Sequence, residues 1–172
     1  NNTSTALPFL VGQRPDPAAD SVTVQTSQPG QLTFRGGDAL TFVRAISNTS
    51  SADVAAFRVE VFLSTNTFIS RFDTLIEDFT FTAGLAGGAT DTATITVTVP
   101  TTIPAGDYYI GFIIDEDGVI DEDDETNNDT VTTTQITVTQ PIIDLSADSI
   151  DLSNVSFVAA GSSLTFTRTV TN

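Results

Sequence analysis

Nine carboxylates and no basic residue stand between Asp115 and Asp129. Crowding them raises a repulsion that only solvent, salt or a bound cation can relieve. Within this stretch Asp115-Glu116-Asp117-Gly118-Val119-Ile120-Asp121 has the middle of an EF-hand-type loop in register. The ligand expected two residues before Asp115 is Ile113, so the full loop is absent. Calcium prefers several hard oxygens in flexible geometry, and Asp115, Asp117, Asp121, Asp123, Glu125 and Asn128 are the candidate ligands. The competing reading is a solvated, charged hairpin that blunts edge pairing. A second chemistry is covalent sugar. Asn1, Asn2, Asn48, Asn128 and Asn154 head N-x-S/T sequons, against about two expected by chance, which favours a secreted, glycosylated surface.

Other residues invite weaker readings. Arg44 and Arg168 occupy matching positions among apolar neighbours of the same parity. Each reads either as an ion pair across an interface or as a rim arginine whose head reaches water, and the rim reading is preferred. Tyr108-Tyr109 could stack on sugar rings, but a tyrosine there more often bonds back to the chain as a corner residue. Runs such as Thr132-Thr133-Thr134 read as solvated strand faces.

Catalysis has little to work with. The chain has no His and no Cys, hence no imidazole base, thiolate or disulfide. Its acids crowd into one exposed turn, where they stay ionised, so no enzyme is expected. The formal charge of −16 repels nucleic acid and anionic membranes. No apolar run reaches membrane-spanning length, and no leader is visible at Asn1, so a secreted protein would be seen here in mature form. A hydrophobic content of 40% with 12 Phe supports a real core.

The elements that position these residues are strands. Period-two alternation predicts strands over 21–26, 39–47, 56–64, 79–82, 90–99, 107–115 and 130–139, with 74–79 no more than a turn. The segment 107–115 is apolar on both faces and should be central. Seven short strands with turns at Pro29-Gly30, Gly36-Gly37, Gly87-Gly88 and Pro104-Ala105-Gly106 predict an all-β, Ig-like antiparallel β-sandwich.

The chain also repeats itself. Leu40-Thr41-Phe42-Val43-Arg44-Ala45-Ile46-Ser47-Asn48 returns as Leu164-Thr165-Phe166-Thr167-Arg168-Thr169-Val170-Thr171-Asn172, and Ala19-Asp20-Ser21-Val22 as Ala147-Asp148-Ser149-Ile150. Residues 1–14 then match a last strand (a linker or donor strand), 15–140 a complete domain, and 141–172 the opening strands of a second repeat. Both terminal pieces expose apolar faces and need completion by copies of the chain or by adjoining repeats.

Several of these motifs resemble one family. Asn48-Thr49-Ser50, Val61-Phe62-Leu63-Ser64, Asp73-Thr74-Leu75, Leu85-Ala86-Gly87, Val99-Pro100, Ala105-Gly106-Asp107-Tyr108-Tyr109 and the acidic turn ending in Asn127-Asn128 look like the CARDB family, the cell-adhesion-related domain of bacterial and archaeal surface proteins. The resemblance implies an Ig-like sandwich, often in tandem, on extracellular proteins and without enzymatic activity. The expected function is a structural repeat of an extracellular adhesin or filament. The alternative is a calcium-dependent module that binds carbohydrate or another surface.

Overall fold

The computed structural model describes residues 12–26, 30–140, 145–151 and 159–171, and the chain divides into two units, 1–140 and 141–172. The predicted strand over residues 1–14 lies almost wholly outside the described residues.

The first unit is an all-β sandwich, with no helix among the described residues. Its strands are β1 (Pro17–Gln25), β2 (Thr33–Arg35), β3 (Ala39–Asn48), β4 (Phe57–Ser64), β5 (Thr74–Phe81), β6 (Thr90–Thr98), β7 (Gly106–Ile114), β8 (Asp129–Val131) and β9 (Ile136–Thr139). One sheet runs β1-β3-β6. The other runs β2-β9-β7-β4-β5, with β8 also paired to β7.

Alternation explains the first sheet. Along β3, Leu40, Phe42 and Ile46 point inward and are fully buried, while Thr41 and Val43 are half-covered. Along β6, Ala93, Ile95 and Val97 face the interior between exposed threonines. The second sheet answers with Val59, Val61, Ile110, Phe112, Ile114 and Ile136. As a continuous apolar run should, β7 sits in the middle of its sheet, between β4 and the β8 and β9 pair. Its outer face is covered too: Ile69, from the loop after β4, lies over Gly111, where an added Cβ would meet Ile69 Cγ1 at 2.3 Å.

Three expectations are corrected. The turn predicted at 74–79 is part of β5, which pairs with β4 from Phe57↔Phe81 to Leu63↔Thr74 through one register shift; Glu77 and Asp78 hide its alternation. The predicted strand 130–139 is two strands. Thr132 separates them, its N donating to Ile110 O at 2.8 Å and its Oγ1 accepting from Ile110 N at 3.1 Å. The short β2, parallel to β9, was not anticipated, because three residues carry no period.

The second unit is a hairpin of β10 (Ser146–Asp151) and β11 (Thr167–Thr171).

Candidate functional site

The acidic turn begins where β7 ends. Asp115 takes a left-handed backbone conformation with φ 48°, and its N donates to Arg58 O at 3.0 Å. Its carboxylate then folds the loop onto itself, Oδ1 accepting from Val119 N at 3.2 Å and Oδ2 from Ile120 N at 2.7 Å. Asp115 is therefore a loop cap, with both oxygens engaged. The other candidate ligands disperse. Asp117 lies 3.7 Å from Arg58, Asp121 pairs with Arg14 at 3.0 Å, and Asp123 and Glu125 are exposed. Among the described residues no three acidic side chains form a group that could hold a metal. The acid that turns inward is Glu122, absent from the sequence-based set.

Glu122 is only 3% exposed. Its Oε1 accepts from Asn128 Nδ2 at 2.9 Å, and Asn127 Nδ2 donates to Asp16 Oδ1 at 3.0 Å. Glu122 Oε2, Asn127 Oδ1 and Asn128 Oδ1 are buried with no donor. A buried acceptor left unsatisfied costs about 1–3 kcal/mol, more when charged. The backbone holds this arrangement between the sheets: Asn127 O accepts from Ala19 N in β1 and Asn128 O from Ile114 N in β7, both at 2.9 Å.

Burial pushes the Glu122 carboxyl up to about 7; the Asn128 bond opposes the shift, and Glu125, Asp115 and Asp16 add to it. Because the folded value lies above the unfolded one, the proton contributes stability that is complete below about pH 4.5. That contribution is lost as pH rises through about 7. Glu122→Gln has no proton to lose. Urea melts of metal-free protein at pH 5 and pH 8 should therefore differ less in this variant than in wild type.

Two predicted glycan sites are used differently. Asn48 is buried, its Nδ2 donating to Ala52 O at 2.7 Å and to Leu85 O at 3.1 Å, while its Oδ1 accepts from Asp16 N and Ser50 N, both at 3.2 Å. Asn128 Nδ2 is likewise buried against Glu122. An N-linked glycan occupies this same nitrogen, so neither side chain can carry one in this fold. Asn1, Asn2 and Asn154 lie outside the described residues.

Arg44 also departs from expectation. Its head does not reach water: the side chain is 4% exposed, with Nη1 2.6 Å from Asp91 Oδ2. The guanidinium lies over the rings of Phe79 and Phe81, at 5.7 and 5.5 Å from their centroids. It thus joins β3 and β6 of one sheet to β5 of the other. Parity announced its inward direction, but the aromatic socket comes from a distant strand. Tyr108 is the corner residue expected of it, its hydroxyl donating to Pro104 O at 3.0 Å.

The CARDB family profile matches residues 20–132, well over half of the chain. The chain belongs to the CARDB family. Among solved structures it is similar to the CARDB domain of a Pyrococcus furiosus protein, with 17% identity, covering 77% of this chain and 100% of that one at a TM-score of 0.54. It is also similar to a domain assigned to a cell surface protein of Methanosarcina acetivorans, with 19% identity, covering 74% and 94% at a TM-score of 0.50. At these identities the likeness is one of fold. No curated protein matches the chain. No helix among the described residues is long and apolar enough to cross a membrane.

The strand pairing of the hairpin matches that of β1 and β3. In β1–β3 the register runs Ala19↔Ile46, Ser21↔Ala45, Val22↔Arg44, with a bulge at Asp20. In β10–β11 it runs Ala147↔Val170, Ser149↔Thr169, Ile150↔Arg168, with a bulge at Asp148. Ser47 Oγ donates to the Asp20 carboxylate, and Thr171 Oγ1 to that of Asp148. The difference lies in burial. Phe42 is 0% exposed, whereas Phe166, its counterpart, is 52% exposed, and Ile150 and Val170 are exposed as well.

Proposed function

We propose that this chain is a non-enzymatic structural repeat of an extracellular adhesin or filament, joined end to end with neighbouring repeats. One observation carries the reading: a two-stranded copy of β1–β3, bulge included, whose apolar face is exposed. An isolated two-stranded hairpin is marginal in water. In the complete unit the same face is covered by Val59, Val61, Ile110 and Phe112 of the second sheet. What fits over Phe166 and Val170 is therefore the corresponding sheet of another CARDB unit, in the same longer polypeptide or in another copy. Such a partner must also bring Arg168 a carboxylate and an aromatic pair, as Asp91, Phe79 and Phe81 do for Arg44. The family, and the likeness to a domain assigned to a cell surface protein, support an array outside the cell. Electron microscopy of material from its source should show linear arrays of regular repeat. Particles of one compact size without linear order would reject the reading.

A second reading, a cation-dependent module that binds carbohydrate or another surface, has its own support. Phe68 and Phe72, on the loop after β4, are 75% and 86% exposed, and Arg71 packs over the Phe72 ring at 5.4 Å. The Pyrococcus domain was solved in complex with di-metal ions. Glycan N-linked at Asn1, Asn2 or Asn154 fits either reading.

A further inference from the structure

We propose that Glu122, together with the side-chain carbonyls of Asn127 and Asn128, forms a binding site for a hard divalent cation of the calcium class in the turn between β7 and β8. The inference goes beyond the assembly reading and does not depend on it. Its ground is the set of three buried oxygens without a donor, Glu122 Oε2, Asn127 Oδ1 and Asn128 Oδ1.

The orientation of the two amides is the informative part. Each Asn turns its Nδ2 toward a carboxylate, Asn128 toward Glu122 and Asn127 toward Asp16. Both carbonyls are thereby left without partners, on residues adjacent in sequence. The arginines of this region are paired with other acids, Arg71 with Glu116 at 3.7 Å among them. Arg14 is engaged by Asp121, and Arg58 by Glu60, Asp78 and Asp117. A proton on Glu122 would supply one donor for three acceptors, and one water would supply two. A single cation drawn in among them would be a common partner for all three. The ligand set is oxygen only, one charged and two neutral, which suits calcium with backbone carbonyls or waters completing the shell. Zinc and the other softer metals prefer nitrogen or sulfur, and this chain has neither His nor Cys. The site differs from the one expected from the acidic run: Asp115 serves as a loop cap, and Asp117 and Asp121 stand at the surface beside arginines.

The test is thermal melting of the full chain after EDTA treatment, with calcium chloride or magnesium chloride added and ionic strength matched with sodium chloride. Calcium at a hundredfold excess over its Kd should raise the Tm by about 5–10 °C beyond the sodium control. Glu122→Gln should melt cooperatively without calcium, because its amide offers the orphaned oxygens a donor, and should lose the calcium shift. Asp121→Asn, an exposed carboxylate outside the set, should keep it. Asn127→Ser, which leaves Glu122 untouched, should weaken calcium binding at least fivefold by titration calorimetry. No calcium shift above the sodium control in wild type, a full shift in Glu122→Gln, or an unchanged Kd in Asn127→Ser would each overturn the proposal.

Discussion

Phe42→Ala is expected to lower the stability of the sandwich by about 3–5 kcal/mol, the range for emptying a large aromatic site in a packed core. Phe42 is 0% exposed and lies at the centre of β3, paired with Val24 on β1 and Ile95 on β6. Its ring fills the space between the two sheets, and the neighbours of a central strand can collapse only partly into the void. Phe166→Ala, at the matching hairpin position, should leave the melt of the isolated chain unchanged, since that ring is half-exposed. Urea denaturation reads both. The Phe42 variant should shift the midpoint at constant slope. Equal effects of the two substitutions would mean that the matching positions do not differ in packing.

Asp91→Ala should cost about 2–3 kcal/mol, below the 3–5 of a fully buried pair because Asp91 is itself 35% exposed. The penalty comes from leaving the Arg44 guanidinium buried without its carboxylate, held over Phe79 and Phe81 and by the long bond from Nη1 to the main-chain oxygen of residue 91 at 3.4 Å. The double variant Arg44→Met with Asp91→Ala should recover much of that loss. Methionine is apolar, of similar reach, and makes favourable contacts with the two rings. A double-mutant cycle measures the coupling directly. If the two single effects simply add, the ion pair does not couple β3 to β6.

The fold was legible where burial is one-sided. Leu40, Phe42 and Ile46 against Thr41 and Ser47 define the inward face of β3, and threonines alternating with Ala93, Ile95 and Val97 do the same for β6. Legibility fails where polar residues fall on an inward parity or where an element is shorter than its own period, as in β5 and β2. The site was legible only in outline. Nine acids mark the turn, but composition cannot say which of them faces inward. That depends on the path of the loop, which Asp115 closes with its own carboxylate and along which Glu122 meets the Asn128 amide. Asn48 carries a sequon and yet sits inside, because its amide ties β3 to the loops at Ala52 and Leu85. A sequence motif for modification and a buried tether can be the same three residues.

The central claim is that the hairpin is half of an interface awaiting a CARDB sheet. Amide hydrogen exchange over β10 and β11, compared with β1 and β3, tests it most directly, in the monomeric chain and in assembled material from the source. In the monomer the hairpin amides should exchange orders of magnitude faster than those of β3, because a two-stranded hairpin is marginal in water. In the assembly they should be protected to the level of β3. A hairpin as protected in the monomer as β3, or as open in the assembly as in the monomer, would contradict the account.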